Sequence, residues 1–420
     1  MRLHKFYNLG GTIKNFSNFS DFDLKNNGSG FILLQGVCGK EFLFTAAKIK
    51  ATRGKGTDFY QQHLSNNDYY SEHDRVVGVW SGSLAEKFGL QGKTVDPAVF
   101  SLFQQNLNPV DHSKLTPRNN PHSVRFYDFQ CSAQKSVSVM SMFDPRLAEA
   151  HRRAVKVGMA ELEKFAAVRI RKGDNYATKN FAFTGKFIYA EYHHDNSRLL
   201  DPQLHTHNVI VNVTQDSDGT FKALDSTQMY QAIRYAGKSY QNALARECIR
   251  LGYELDIKRS DKGEITGFEI KGIDEEILNR CSRRRHQIDK AIEEFVAKKG
   301  RQPTAEEVKT MTLLTRNRKM LEKSETEVET FKRSLLTAPE RQRLYVLAEN
   351  ARIMGDLRFM DVEEQEAVQQ LSKVAAQLFE RHSVLKLDAL LAEVQNQHLG
   401  ETDLEVLQTV LQSVDRKSVV

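Results

Sequence analysis

The chain has 420 residues, which predicts one large domain with an appended module, or two to three domains. Sixty lysines and arginines stand against 54 acidic residues, and the net charge of +6 is weak evidence for a polyanionic partner. The four cysteines lie far apart without a CxxC pair, which argues against a zinc cluster or a disulfide framework. The sequence shows neither a membrane-span-length apolar run nor a signal-peptide pattern, so we expect a cytoplasmic protein without membrane insertion.

The first 123 residues contain an unusual leader and a group of tyrosines. Residues 1–41 are rich in Asn, Phe, Ser and Gly, and we interpret them as an N-terminal extension before a strand over 42–49. Three tyrosines follow in a short polar segment: Tyr60, Tyr69 and Tyr70. They are either buried aromatic residues or nucleophiles, because a phenol attacks phosphorus when a metal polarises the phosphate and a base accepts the proton.

The central part of the chain contains a carboxylate in an unexpected place. Residues 124–130 predict a strand rich in aromatic side chains, and Asp128 lies inside it. Such a carboxylate lies either at an exposed edge or in a functional position, and we favour the second interpretation. Ser132 is predicted to cap a helix that begins at Ala133, and residues 146–171 have the period of one long amphipathic helix.

Two histidines, His205 and His207, stand at the head of a β-branched run. Residues i and i+2 of a strand project from the same face, so both imidazoles point the same way. His194 ends the preceding predicted strand, and a connection of about ten residues suits two adjacent antiparallel strands. Three imidazoles grouped in this way would form a metal site with open positions for phosphate oxygens or water, whereas a lone histidine is more often a core residue.

Three segments, read together, resemble a known family. They are DFQCSAQKSVS at 128–138, HDNSR at 194–198 and PQLHTH at 202–207. These segments are similar to those of the relaxases of conjugative plasmids, in the relaxase–helicase (MobF) class of HUH endonucleases. The similarity extends over about residues 42–320. It is specific because it depends on several motifs together and not on any single one.

The resemblance implies a fold and an activity. The fold would be α+β, with a five-stranded antiparallel palm-like sheet and flanking helices, followed by a smaller all-α module. The activity would be site- and strand-specific nicking and rejoining of single-stranded DNA at a transfer origin, through a 5′-phosphotyrosine. His194, His205 and His207 would bind a divalent metal (Mg, Mn or Zn), and Asp128 would orient a histidine and help to deprotonate the nucleophile.

The nucleophile itself is ambiguous in this sequence. Family members often carry a tyrosine pair near the start, and the corresponding pair here is Phe59-Tyr60. Tyr60 is our first candidate and Tyr69 the second, with Tyr70 also open, as is a tyrosine at position 59 in the active form. Gln134 also stands where the family usually has proline.

Contacts with DNA beyond the site are expected to be mostly electrostatic, with bases stacked on aromatic side chains. The predicted DNA-binding residues are Lys135, Arg198, Arg234, Lys238, Arg283, Arg284 and Arg285. A solvated helix face is the alternative for Arg234 and Lys238, as it is for the arginine cluster at 283–285. The expected partners are transfer-origin DNA with a hairpin and proteins of the relaxosome or conjugation machinery.

From about residue 291 the composition becomes rich in Glu, Lys, Gln, Leu and Ala, with long helical periods. We therefore divide the chain into an extension at 1–41, a relaxase domain at 42–320 and a helical module at 321–420. The sequence has no GxxxxGK[ST], so we expect either the N-terminal portion of a relaxase–helicase or a form without the motor. A non-covalent metal phosphodiesterase and a catalytically silent DNA-binding module are the alternative functions.

Overall fold

The computed structural model describes residues 31–32, 44–50, 77–117, 123–170, 180–197, 199–315, 325–358 and 361–417. Its strands are β1 (Phe31–Ile32), β2 (Phe44–Lys50), β3 (Val79–Ser81), β4 (Val124–Ser132), β5 (Ala167–Ile170), β6 (Asn180–Phe183), β7 (Tyr189–Asn196), β8 (Pro202–Val211), β9 (Thr214–Gln215), β10 (Phe221–Lys222), β11 (Leu255–Arg259) and β12 (Ile265–Ile270).

The helices of the same ranges are α1 (Ser83–Lys87), α2 (Pro97–Gln104), α3 (Lys135–Met140), α4 (Arg146–Glu163), α5 (Ser226–Arg250), α6 (Glu275–Arg280), α7 (Arg283–Lys299), α8 (Ala305–Leu314), α9 (Glu325–Ser334), α10 (Ala338–Arg358), α11 (Glu364–Phe379), α12 (Leu387–Gln397) and α13 (Leu404–Lys417). In these ranges no helix combines the length and apolar character that a membrane crossing requires.

The central sheet is antiparallel and has the strand order β1-β2-β4-β8-β7-β3. β1 adds only two residues at one edge, and the other five strands confirm the expected five-stranded sheet with flanking helices. β8 lies in the middle, paired with β4 from Phe126↔Val211 to Ser132↔His205 and with β7 from Tyr189↔Ile210 to His194↔His205. Because directly opposed residues share a face, these registers decide which side chains meet.

Each face of the sheet carries its own core. On one face Phe129, Ile210 and Leu204 pack with the buried residues of α4 and α5. On the other face Phe126 and Val209 pack with Trp80 and the residues of α1 and α2. The second core extends along β7 as far as Tyr192, which lies opposite His207 on the face that holds the histidines.

The long helices α4 and α5 cross closely at a glycine. Asp225 begins α5, because its carboxylate accepts a hydrogen bond from the Thr227 amide at 3.2 Å. A Cβ at Gly158 of α4 would lie 2.9 Å from the Tyr240 Cβ and 3.2 Å from the Ala236 carbonyl oxygen of α5. Glycine at this position therefore allows the two helices to approach each other.

The C-terminal helices belong to two different packing groups. Leu336 of the α9–α10 connection and Leu344 and Ala351 of α10 join the core under the sheet. By contrast, α11, α12 and α13 enclose a separate apolar cluster, which packs on Tyr235 of α5 and Val157 of α4. The predicted domain limits at 41 and 320 remain predictions, but the core under the sheet includes helical residues beyond 320.

Two elements differ from the sequence prediction. Ser132 does not cap a helix, because it pairs with His205 in the sheet, and α3 begins at Lys135 instead. The helix predicted over 146–171 ends at Glu163, and the following residues form β5, paired with β6 from Ala167↔Phe183 to Ile170↔Asn180. In residues 167–170 the pairing of β5 with β6 therefore determines the structure, although the spacing of apolar residues is helical.

We expect Gly158→Val to destabilise the fold by about 1–3 kcal/mol, because the added side chain must separate two packed helices. Lys156→Val, on the exposed side of the same helix, is the matched control and should change stability by less than about 0.5 kcal/mol. Urea unfolding of both variants measures the difference. Equal free energies of unfolding would contradict the close crossing.

Candidate metal centre and its surroundings

Three imidazoles lie together where β7 and β8 pair. Their ring centroids are 5.0 Å apart for His194 and His205, 5.5 Å for His194 and His207, and 5.4 Å for His205 and His207. His194 stands opposite His205 in the ladder, and His207 follows two residues later on the same face. The structure thus brings together the three histidines that the sequence predicted as metal ligands.

Asp128 reaches this group from β4. It pairs with Val209, one step along the same face from His207, and is therefore the diagonal neighbour of that histidine. The His207 Nδ1–H donates to the Asp128 Oδ2 at 2.8 Å, and Asp128 is only 4% exposed. A carboxylate at Nδ1 fixes the tautomer and leaves the Nε2 lone pair available for a metal ion.

His205 is held in a similar way by the backbone. Its Nδ1–H donates to the Gln203 carbonyl oxygen at 3.1 Å, which again leaves the Nε2 lone pair available. Burial, together with the neighbouring His207, lowers the pKa of His205 to about 4. Near neutral pH the ring is uncharged, which is the form that binds metals. Sequence reasoning missed Gln203, because a backbone acceptor leaves no signal in residue type.

The orientation of the rings bears on metal binding. In the described ranges, no group of three or more His, Cys, Asp or Glu side chains holds its donor atoms in a coordinating arrangement as it stands. The planes of His194 and His205 make an angle of only 21°, so their nitrogens point along nearly parallel planes instead of towards one point. The donor set still fits a divalent ion, because neutral imidazoles with an occupied Nδ1 offer Nε2. Coordination by the three rings requires one of them to rotate.

The connection between β7 and β8 is strained and held by α9. Leu200 has a φ of 63°, a region that costs a non-glycine residue about 1–3 kcal/mol. Its side chain is buried against Val328 and Phe331 of α9. Lys332 of the same helix is 2% exposed and bonds the Asp195 carboxylate at 2.7 Å. Helix α9 therefore supports the segment that joins His194 to His205.

Helix α7 supports the same connection through an arginine. The Arg283 Nε donates to the Asp201 Oδ1 at 2.7 Å, and the guanidinium also donates to the Leu199 carbonyl. Its guanidinium carbon lies 4.7 Å from the centre of the Phe331 ring. Arg283, one of the predicted DNA-binding arginines, therefore uses its guanidinium for hydrogen bonds within the protein.

Arg284 and Arg285 differ from each other in their partners. Arg284 donates to the carbonyl oxygens of Thr312 at 2.6 Å and Thr315 at 2.7 Å, at the end of α8. Arg285 has an exposed side chain, and its bond to Asp289 at 2.9 Å lies on the surface of α7. Arg285 is accordingly the member of the cluster with an exposed guanidinium and an exposed partner.

The other described basic residues of the DNA-binding prediction also have partners. The Lys135 Nζ donates to the Pro202 carbonyl oxygen at 2.9 Å, at the start of β8. Lys238 bonds Gln241 at 3.1 Å, and the exposed Arg234 bonds Glu393 of α12 at 3.2 Å. DNA contact by these residues remains a prediction.

Several predicted residues lie outside the described ranges. They are Tyr60, Tyr69, Tyr70 and Arg198. The assignment of the nucleophile therefore rests on sequence alone.

Sequence reasoning did not single out Lys332 or Asp201, which hold the connection between the metal-binding strands. Lys332 belongs to a helix rich in charged residues, and its spacing does not separate it from a lysine that faces solvent. Asp201 directly precedes the PQLHTH segment, but its position in the sequence does not indicate its partner. Only tertiary contacts reveal the role of either residue.

An antiparallel sheet that carries a three-histidine group with a carboxylate on one ring defines a class of candidate metal-dependent enzyme. Comparison with known proteins identifies the family. The profile of the TrwC relaxase family matches residues 53–338. The chain therefore belongs to the TrwC relaxase family. This assignment confirms the prediction of a MobF-class conjugative relaxase and the prediction of an enzyme of the DNA relaxase class.

Individual relatives agree with the family assignment. The chain is 35% identical over 260 residues to the multifunctional conjugation protein TraI of Escherichia coli, an alignment that covers 57% of this chain and 14% of TraI. It also resembles the metal-bound structure of conjugative relaxase TrwC in complex with oriT DNA, with 25% identity, a TM-score of 0.57 and coverage of 73% of this chain and 97% of that one.

A further structure is TrwC complexed with a 27-mer DNA that comprises the recognition hairpin and the cleavage site. There the identity is 27% and the TM-score 0.57, with 70% of this chain and 96% of that chain covered. These similarities agree with the α+β fold described above. The chain spans about one seventh of the length of the TraI relative.

We expect Arg283→Ala to destabilise the fold by about 1–3 kcal/mol, because the buried Asp201 carboxylate loses a charged donor. Arg285→Ala is the matched control and should stay within about 0.5 kcal/mol of the parent protein, since its ion pair is exposed. Chemical denaturation of both variants measures the effects. If the two variants were equally stable, Arg283 would not support the connection.

Proposed function

We propose that this protein nicks and rejoins single-stranded DNA at a transfer origin, site- and strand-specifically, by metal-dependent tyrosine transesterification. The observation that carries the proposal is the group of His194, His205 and His207, with Asp128 on His207, in a chain of the TrwC relaxase family. The relatives support the choice of DNA, because TrwC is described in complex with oriT DNA.

His194, His205 and His207 would hold the metal, each through a ring nitrogen. A divalent ion held there, Mg, Mn or Zn, would neutralise charge on the non-bridging oxygens of the scissile phosphate. Asp128 orients the His207 ring and raises the basicity of its Nε2. The Gln203 carbonyl does the same for His205.

The reaction transfers the phosphoryl group between two oxygens. The tyrosine hydroxyl loses its proton to a base, for which Asp128 is the candidate, and its oxygen attacks the phosphorus. The bond from phosphorus to the 3′ oxygen breaks, and this oxygen takes up a proton to give a free 3′-hydroxyl. The 5′ end stays on the tyrosine as a phosphodiester, and the reverse reaction rejoins the strand.

Recognition of the DNA would combine charge with stacking. Exposed cations such as Arg285 and Arg234 would contact phosphates. A hairpin in the target is proposed because TrwC is described with a recognition hairpin. Proteins of the relaxosome or conjugation machinery are proposed as further partners, on the strength of the family alone.

The mechanism can be tested with an oligonucleotide that carries the transfer origin. The oligonucleotide is designed so that its leaving strand diffuses away after cleavage. We expect a covalent protein–DNA adduct that denaturing electrophoresis resolves. Tyr60→Phe should abolish the adduct, since it removes only the attacking oxygen, while Tyr69→Phe and Tyr70→Phe should retain it. Loss of the adduct in Tyr69→Phe or Tyr70→Phe instead would move the nucleophile to that residue.

The same assay separates the alternative functions. Cleavage without an adduct would indicate a non-covalent phosphodiesterase, and binding without cleavage would indicate a catalytically silent DNA-binding module. If neither Tyr60→Phe nor Tyr69→Phe nor Tyr70→Phe changed the yield of adduct, the tyrosine assignment would be wrong.

Removal of the metal should stop the reaction. We expect EDTA to abolish adduct formation and Mn²⁺ or Mg²⁺ to restore it, because the phosphate charge is otherwise uncompensated. His205→Ala should lower the rate more than about 100-fold at a fixed metal concentration. His382→Ala, at an exposed histidine in the connection between α11 and α12, is the matched control. Full activity in EDTA would refute the metal requirement.

A further inference from the structure

The strand that carries the metal-binding histidines is also anchored on its opposite face. Thr206 lies between His205 and His207, and its side chain points away from both, because alternate residues of a strand face opposite sides. Thr206 is completely buried, at 0% exposure, in the core between the sheet and the helices α4 and α5. A hydroxyl in this apolar core requires hydrogen-bond partners.

Thr206 has two such partners, and both are histidines. Its Oγ1 lies 2.9 Å from the His151 Nε2 of α4 and 2.7 Å from the His193 Nδ1 of β7. The other nitrogen of His151 lies 2.9 Å from the Tyr240 hydroxyl of α5. The other nitrogen of His193 lies 3.4 Å from the Glu191 Oε2. The group therefore connects two helices and two strands.

The direction of each hydrogen bond follows from the carboxylate at one end. Glu191 as a carboxylate only accepts, so the His193 ring that carries its proton on Nε2 donates it to Glu191 and accepts at Nδ1. The Thr206 hydroxyl then donates to His193 and accepts from the His151 Nε2–H. The remaining nitrogen of His151 accepts from the Tyr240 hydroxyl. Each group in this chain of contacts has a compatible donor or acceptor, with none in conflict.

We propose that the Thr206 hydroxyl, held by His151 and His193, is a positioning group for the metal-binding imidazoles of His205 and His207. This inference rests on the proposed function, since it assigns residues to the organisation of the same metal centre. The hydroxyl does not touch the metal or the DNA. It fixes the strand at the one residue that separates two ligands, and so fixes the direction from which both rings approach the ion.

Two observations favour positioning over packing alone. A valine has nearly the same shape and avoids the cost of burying a polar atom, so close packing by itself does not require a hydroxyl there. The partners also converge from different directions, with His151 on a helix beneath the strand and His193 on the neighbouring strand beside His194. Buried polar groups that are fully satisfied make a local structure rigid, which is the property that a preorganised metal site needs.

The test measures metal binding by the full chain, with Zn²⁺ as the probe in competition with a chromophoric chelator. Thr206→Val removes the hydroxyl and keeps the shape, while Thr206→Ser keeps the hydroxyl. The matched control is Thr214→Val, because Thr214 is equally buried and bonds the Thr184 hydroxyl at 2.6 Å, outside the histidine group. A variant with both His205→Ala and His207→Ala gives the background from other histidines.

We expect Thr206→Val to weaken Zn²⁺ binding by about 10-fold or more, the range typical of residues that orient metal ligands. Thr206→Ser should bind within about two-fold of the parent protein, and so should Thr214→Val. If Thr206→Val fails to fold, Tyr240→Phe decides, because it removes one donor at the far end of the network. A weaker affinity in Tyr240→Phe supports the proposal, and an unchanged one overturns it.

The outcomes separate this inference from the proposed function. If the parent protein bound Zn²⁺ no better than the double histidine variant, the metal centre itself would be refuted, and the positioning role with it. If the parent protein bound specifically and Thr206→Val bound equally well, only the positioning role would be overturned. A loss as large in Thr214→Val as in Thr206→Val would also overturn it, because the effect would then be one of general stability.

Discussion

The register of β8 between β4 and β7 is the constraint on which the rest of the site depends. It sets His194 opposite His205 and places Asp128 one diagonal step from His207. A shift of β8 by one residue would turn both of its histidines into the core and bring Thr206 to the open face. Everything that fixes this register, from the two apolar cores to the strand pairs, therefore also fixes the metal-binding group.

Elements distant in the sequence also support the metal-binding strands. The connection between β7 and β8 contains a strained residue, Leu200, and is held by Arg283 of α7 and Lys332 of α9. Strain of this kind persists only where the surroundings determine the conformation. The helices after the sheet thus have a structural role at the site, in addition to any role in contact with DNA.

Sequence alone predicted those features of the site that depend on local pattern. Strand parity placed His205 and His207 on one face, and the short connection brought His194 beside them, because both follow from chain geometry within about fifteen residues. The family resemblance, which rests on motifs, supplied the sheet and the role of Asp128. The choice of His207 as the partner of Asp128 required the register between two strands distant in the chain.

The remaining features depend on tertiary contacts that residue type does not encode. Arg283 and Arg285 are two positions apart and chemically identical, yet Arg283 bonds Asp201 across the fold and Arg285 lies on the surface. The helix predicted over 146–171 ends at Glu163, because the residues that follow form β5 and pair with β6. The link from Thr206 to Tyr240 through His151 likewise joins three separate elements.

The most direct test of the central claim is a crystal structure of the protein grown with Zn²⁺, with an anomalous difference map at the zinc edge. The account predicts one strong peak on the open face of the sheet, about 2.0–2.1 Å from a ring nitrogen of each of His194, His205 and His207. It also predicts that the bond from His207 to Asp128 persists. A map with no peak among these rings, or with a peak that only one of them contacts, would contradict the account.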